Sequence, residues 1–210
     1  MRSGTKIAFL SAAIVLTARA EIIDRIAVSV GSSVIATSDL DTEIRVTAAL
    51  NGVEPDFSPG NKHATADRLV EQKLIRRELE LSRYTLPDTS AAEPLFEQFR
   101  KAHPEPLAAY GVTEQQVRDA LLWQLTLLRF IEVRFRPGVQ VTDQDISEYF
   151  DRVVKPAAQA AHPDRPVSLE DYRNQIEETL TGQRTDQEVD NWLKDARKRT
   201  EIVFHEEVFE

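Results

Sequence analysis

The residues able to do chemistry in this 210-residue chain are four histidines and a few closely spaced carboxylates, with no cysteine to assist them. His63, His103, His162 and His205 are scattered, and none belongs to a helical pairing of the kind that ligates zinc. Asp39, Asp41 and Glu43 alternate as in a calcium loop, but the central glycine and the spaced terminal glutamate of such a loop are missing. Asp143 and Asp145 form a second carboxylate pair. Both fall in the first turn of a helix, where the backbone dipole favours acids. There is no G-x-S-x-G, no phosphate-binding P-loop and no G-x-G-x-x-G. The residue types therefore predict no catalytic residue, no metal ligand and no cofactor site.

The surrounding elements are well signed. Ile26 to Val30 alternates, Gly31-Ser32 suits the Gly-first turn of a tight hairpin, and Val34 to Ala36 returns. Ser38 with Asp41, Thr113 with Gln116, Thr142 with Asp145 and Ser168 with Asp171 have capping-box spacing. There the cap hydroxyl accepts an unpaired backbone N–H and the third residue reaches back. Three boxes also carry a hydrophobic staple: Val112 with Val117, Val141 with Ile146 and Val167 with Tyr172. The spacing predicts helices over 39–50, 64–84, 91–102, 114–136, 143–154 and from 169 onward. Residues 51–61, and the proline-bearing connector 155–166, read as irregular. In the last helix Leu169, Tyr172, Ile176 and Leu180 share a face, whereas Val189, Trp192, Leu193 and Ala196 lie half a turn away. The phase changes near Gly182, and a continuous helix with different partners along its length is the favoured reading. Ile202 to Phe204 reads as a strand.

The helix over 114–136 carries more apolar surface than one core needs. Val117, Leu121, Leu125, Leu128, Ile131 and Phe135 make one stripe, and Trp123, Leu127 and Phe130 form an additional strip beside it. Either the helix is central and buried all round, its extra strip covered by the C-terminal helix through Trp192 and Leu193, or Trp123, Leu127 and Phe130 face a bound chain. The second alternative makes these three the candidate peptide-binding residues.

The N-terminus has the tripartite export pattern: basic Arg2 and Lys6, an apolar run over 7–16, and Ala18-Arg19-Ala20 as a cleavage site. Cleavage there would leave a mature chain of 21–210. Loss of Arg2, Lys6 and Arg19 leaves 23 basic against 35 acidic residues and a net charge of −12. Such a chain repels phosphate backbones, so nucleic acid is not an expected partner. Lack of cysteine in an oxidising compartment leaves stability to packing alone. No stretch after the export signal is long and apolar enough to be an integral span.

The order of these motifs resembles the SurA-type periplasmic chaperones. Asp24 to Gly31 followed by Val34 to Leu40 is similar to that family's hairpin running into a capped helix. Leu69-Val70-Glu71-Gln72-Lys73-Leu74-Ile75 resembles its acid-Gln-Lys helix, and Tyr110 to Glu114 its link into the long helix. Val141 to Ile146 with Tyr149-Phe150-Asp151 resembles the segment that precedes the parvulin domain. Only the 155–166 connector stands where about a hundred residues of isomerase would follow. The resemblance thus implies a mainly α chaperone module without its isomerase. It would be one domain over 21–210 built from both chain ends, its N-terminal hairpin joined by the C-terminal strand, as in the peptide-binding part of trigger factor. It implies a periplasmic holdase for unfolded or extended polypeptides, outer-membrane protein precursors among them, with no catalytic residue to carry over. A dedicated envelope adapter with one folded partner is the alternative, and a prolyl isomerase with an unrecognised site is disfavoured by the short connector.

Overall fold

The computed structural model describes residues 24–162 and 165–210, so the expected export signal over 1–20 lies outside the described residues. The chain begins with strands β1 (Ile26–Val30) and β2 (Ser33–Ala36), joined through Gly31, whose φ of +56° only glycine adopts freely. Strand β3 (Ile202–Phe204), from the far end of the chain, pairs antiparallel with β1, giving the order β2-β1-β3. Val28 faces Ile35 on one side and Phe204 on the other. The rest of the described chain is mainly helical, as the periodicity predicts.

The helices are α1 (Thr37–Asn51), α2 (Pro59–Leu81), α3 (Glu93–Ala102), α4 (Glu114–Arg134), α5 (Asp143–Tyr149), α6 (Lys155–Ala161) and α7 (Leu169–Lys198). Two capping boxes form as spaced: Thr113 with Gln116 opens α4, and Thr142 with Asp145 opens α5. Ser168 caps α7 through the backbone N–H of Glu170. The Ser38–Asp41 box does not form. Asp39 instead accepts the backbone N–H of Ala36 at 2.9 Å, and Ser38 donates its backbone N–H and hydroxyl to Asp24, which displaces the cap towards the hairpin. Helix α2 starts five residues earlier than expected because Ser58 is its cap and Pro59 its first residue, a position that needs no N–H donor.

The 155–166 connector is not irregular throughout. A π-helical turn over Phe150–Val154 carries α5 directly into α6, with Pro156 in the first turn, where its missing N–H costs no hydrogen bond. Helix α7 runs unbroken through Gly182 and resolves its phase change by meeting successive cores. Tyr172, Ile176 and Leu180 pack with Ile146 and Phe150, then Val189, Trp192 and Leu193 pack with Ile75, Leu79, Phe130 and Phe135. Ala196 reaches the hairpin core.

Helix α4 behaves in the same way. Val117 and Leu121 enter a core with Val46, Ala49, Phe96 and Phe99, while Phe130 enters the α2–α7 core about half a turn round. Leu128 therefore does not complete an internal stripe. It shares the Val117–Leu121 face, which has no cover this far along, and is 65% exposed.

Candidate functional site

Helix phase places three stripes around one groove. The hairpin and the Asp39 cap set α1 so that Asp39, Thr42, Glu43, Val46, Thr47 and Leu50 follow each other at helical spacing. The Thr113–Gln116 box sets α4 so that Gln116, Ala120, Trp123, Gln124 and Leu127 face them. Gln72 and Arg76, one turn apart on α2, close the third side. The groove holds about 640 Å³. Its apolar floor is made by Val46, Leu50, Ala120, Trp123 and Leu127, and its walls carry side-chain amides, hydroxyls and charges. A smaller recess of about 250 Å³ continues it towards Ile35, Leu69 and Lys73.

On the other side of Trp123 lies a second groove of about 530 Å³, lined by Leu79, Glu80, Leu86, Pro87, Leu122 and Thr126. Arg76, Asp119 and Trp123 belong to both grooves and form the ridge between them. The Arg76 guanidinium lies over the Trp123 ring, 4.1 Å from its centroid. Arg76 as a residue is exposed, yet its guanidinium is partly desolvated in this position, which pulls its proton affinity down. Glu43, Glu80 and Asp119 act against that pull. Burial pushes the Glu43 carboxyl above its ordinary value, offset in part by Arg68, a hydrogen bond from Gln72 at 3.4 Å, and Arg76.

The three sequence candidates separate here. Trp123 is half-buried and lines both grooves, and Leu127 is half-buried at one end of the larger. Phe130 must be corrected. It is 1% exposed, set edge-on to Tyr84, Phe135 and Trp192 with centroids 5.7, 5.5 and 5.7 Å away. The aromatic end of α7 covers it, so it is core and offers no surface to a ligand. Sequence reasoning missed the α1 stripe and the Gln72–Arg76 pair. The stripe is mostly polar and gives no hydrophobic signal, although Gln72 stands inside the acid-Gln-Lys motif already singled out.

Among the described residues no three histidines or carboxylates come together in a way that could hold a metal ion. No described helix is long and apolar enough to cross a membrane. His63 does have a helical partner, contrary to the expectation from sequence: it meets Asp67, four residues on, at 3.4 Å, and it stacks flat on Phe204 with centroids 4.9 Å apart, an arrangement that ties α2 to β3. The arrangement around Trp123 is an open apolar floor between walls that carry hydrogen-bond donors and acceptors. No family model matches the chain, and no curated protein or solved structure matches it.

Proposed function

We propose that this chain is a chaperone-like holdase that binds unfolded or extended polypeptides in the groove between α1, α2 and α4, without isomerase activity. The observation that carries the reading is the groove itself. Trp123 and Leu127 give it an apolar floor, and Gln72, Gln116, Gln124 and Asn51 give it walls of side-chain amides. An amide side chain both donates and accepts, so the capacity left after the internal bonds of Gln72, Gln116 and Asn51, together with Gln124, can serve the backbone of a bound segment whatever its sequence. The Trp123 face contributes contact area that adapts to many side chains. The resemblance of the ordered motifs to SurA-type chaperones supports the same reading. It points to outer-membrane protein precursors as clients and to the periplasm as the place of work, reached by cleavage after Ala20.

The test is direct. An unfolded outer-membrane β-barrel protein is diluted from urea with and without the purified chain, and aggregation is followed by light scattering. A holdase suppresses scattering in proportion to its concentration and leaves the rate of a proline-limited peptide assay unchanged. Undiminished scattering, together with a single saturable complex with one folded envelope protein, would establish the adapter instead.

A further inference from the structure

Arg76 occupies the centre of the binding surface without being fastened to it. Its guanidinium rests on the Trp123 ring at 4.1 Å, and Glu43, Glu80 and Asp119 surround it electrostatically. Yet it makes no hydrogen bond to any of the three, and among the described residues no ion pair within 4 Å. A guanidinium able to form five N–H donor contacts is here held only by a ring face and by diffuse Coulombic attraction. Neither term fastens the guanidinium through a hydrogen bond, so a second cation placed over the same ring face satisfies them as well. The position lies on the ridge shared by the two grooves, which makes it accessible from both sides.

We propose that the Trp123 face and its carboxylates are a subsite for a basic side chain of the bound polypeptide, with Arg76 as the internal occupant that such a side chain displaces. The proposal rests on the peptide-binding reading above and names the segments the groove prefers: extended chain carrying an arginine or lysine between apolar residues. The apolar neighbours fit the floors around Leu127 on one side and Leu79 with Leu86 on the other. The basic residue fits the ring between them. Charge balance agrees. Glu43, Glu80 and Asp119 all act on Arg76. Glu43 also faces Arg68 and Gln72, and Asp119 accepts from Gln115 at 2.8 Å, so departure of Arg76 towards solvent leaves chiefly Glu80 and Asp119 to receive the incoming cation. Arg76 is an exposed residue whose guanidinium ends a flexible stem of three methylenes, so it needs only rotamer changes to leave.

The experiment compares two acetylated, amidated peptides of about nine residues, enough to extend roughly 30 Å. Both alternate leucine with threonine, and differ only in a central arginine or its neutral isostere citrulline. Affinity for the full purified chain is read by fluorescence anisotropy, and the same preparations are tested for suppression of β-barrel aggregation. The arginine peptide should bind roughly five- to twenty-fold more tightly than the citrulline peptide. Arg76→Gln, which removes the internal competitor, should widen that ratio, and Glu80→Gln with Asp119→Asn should bring it close to one. Equal binding of the two peptides by a chain that does suppress aggregation overturns the subsite and leaves the holdase reading standing. A ratio that narrows in Arg76→Gln also overturns it. Failure to bind either peptide and to suppress aggregation sinks both readings together.

Discussion

Glu43 is placed in the groove at a cost to the fold. Burial raises its carboxyl above the ordinary value, so the folded chain holds this proton more tightly than the unfolded chain does. Stability linked to Glu43 is then fully present below the unfolded carboxylate value and is lost as pH rises through the raised one. Glu43→Gln removes the penalty while keeping an acceptor for Gln72. The variant should melt higher than the parent at pH 7, with the difference closing below about pH 4, where both are neutral. A lower melting temperature at pH 7 would show that attraction to Arg68 and Arg76 outweighs desolvation. Phe130 is the opposite case, a residue with no role in the groove and a large one in the core. Phe130→Ala should lose about 3–5 kcal/mol by chemical denaturation, because three aromatic neighbours cannot all collapse into the space. A loss below about 1 kcal/mol would mean that the α7 end does not cover it. Trp123 and Phe130 looked alike in the sequence because both belong to one apolar arc. Tyr84, Phe135 and Trp192 close over Phe130 and leave Trp123 in the groove, and the Trp192 contact, from the far end of the chain, is not visible in local periodicity.

Helices α4 and α7 each serve more than one core, and this explains both what the sequence reveals and what it conceals. Capping chemistry is local, so the starts of α4 and α5 were legible from Thr113, Gln116, Thr142 and Asp145 alone. The half-turn shift in α7 was legible as a phase change, and the continuous helix agrees with it. The exposure of Leu128, the helical course of 155–161 and the position of the first cap were not legible. Each is decided by a partner distant in sequence, or by a neighbouring turn that absorbs the chain: a missing neighbour, a π turn, and the reach of Asp24. In the groove itself Trp123 and Leu127 were legible from the over-wide arc, whereas α1 contributes polar residues that resemble any solvated face. The continuity of α7 makes a simple prediction. A Cβ added at Gly182 meets nothing within 4 Å, so Gly182→Ala should stabilise the chain by about 0.4–1 kcal/mol through helix propensity and the restricted unfolded chain. Destabilisation would indicate that the helix bends there in solution.

At the scale of the molecule, the two ends of the described chain close on each other. Strand β3 completes the sheet beside β1, the backbone N–H of His205 donates to the carbonyl of Ala27, and Val208 and Phe209 are buried in the hairpin core. Deleting residues 200–210 should therefore cost at least about 3–6 kcal/mol, from loss of two buried side chains alone. An unchanged denaturation midpoint would contradict a core shared by both ends. This closure fixes the hairpin, which fixes the start of α1, which in turn aims one wall of the groove at Trp123. If a polypeptide binds in this groove, two variants of α4 separate in the aggregation assay: Trp123→Ser with Leu127→Ser in the groove, and Leu128→Ser on the outer, exposed face. With native far-ultraviolet spectra and cooperative melting confirmed for both, the groove variant should lose most of its suppression of β-barrel aggregation while the outer-face variant keeps it. Full suppression by the groove variant, or its loss only in Leu128→Ser, would rule out the groove and move the binding surface to the other side of the helix.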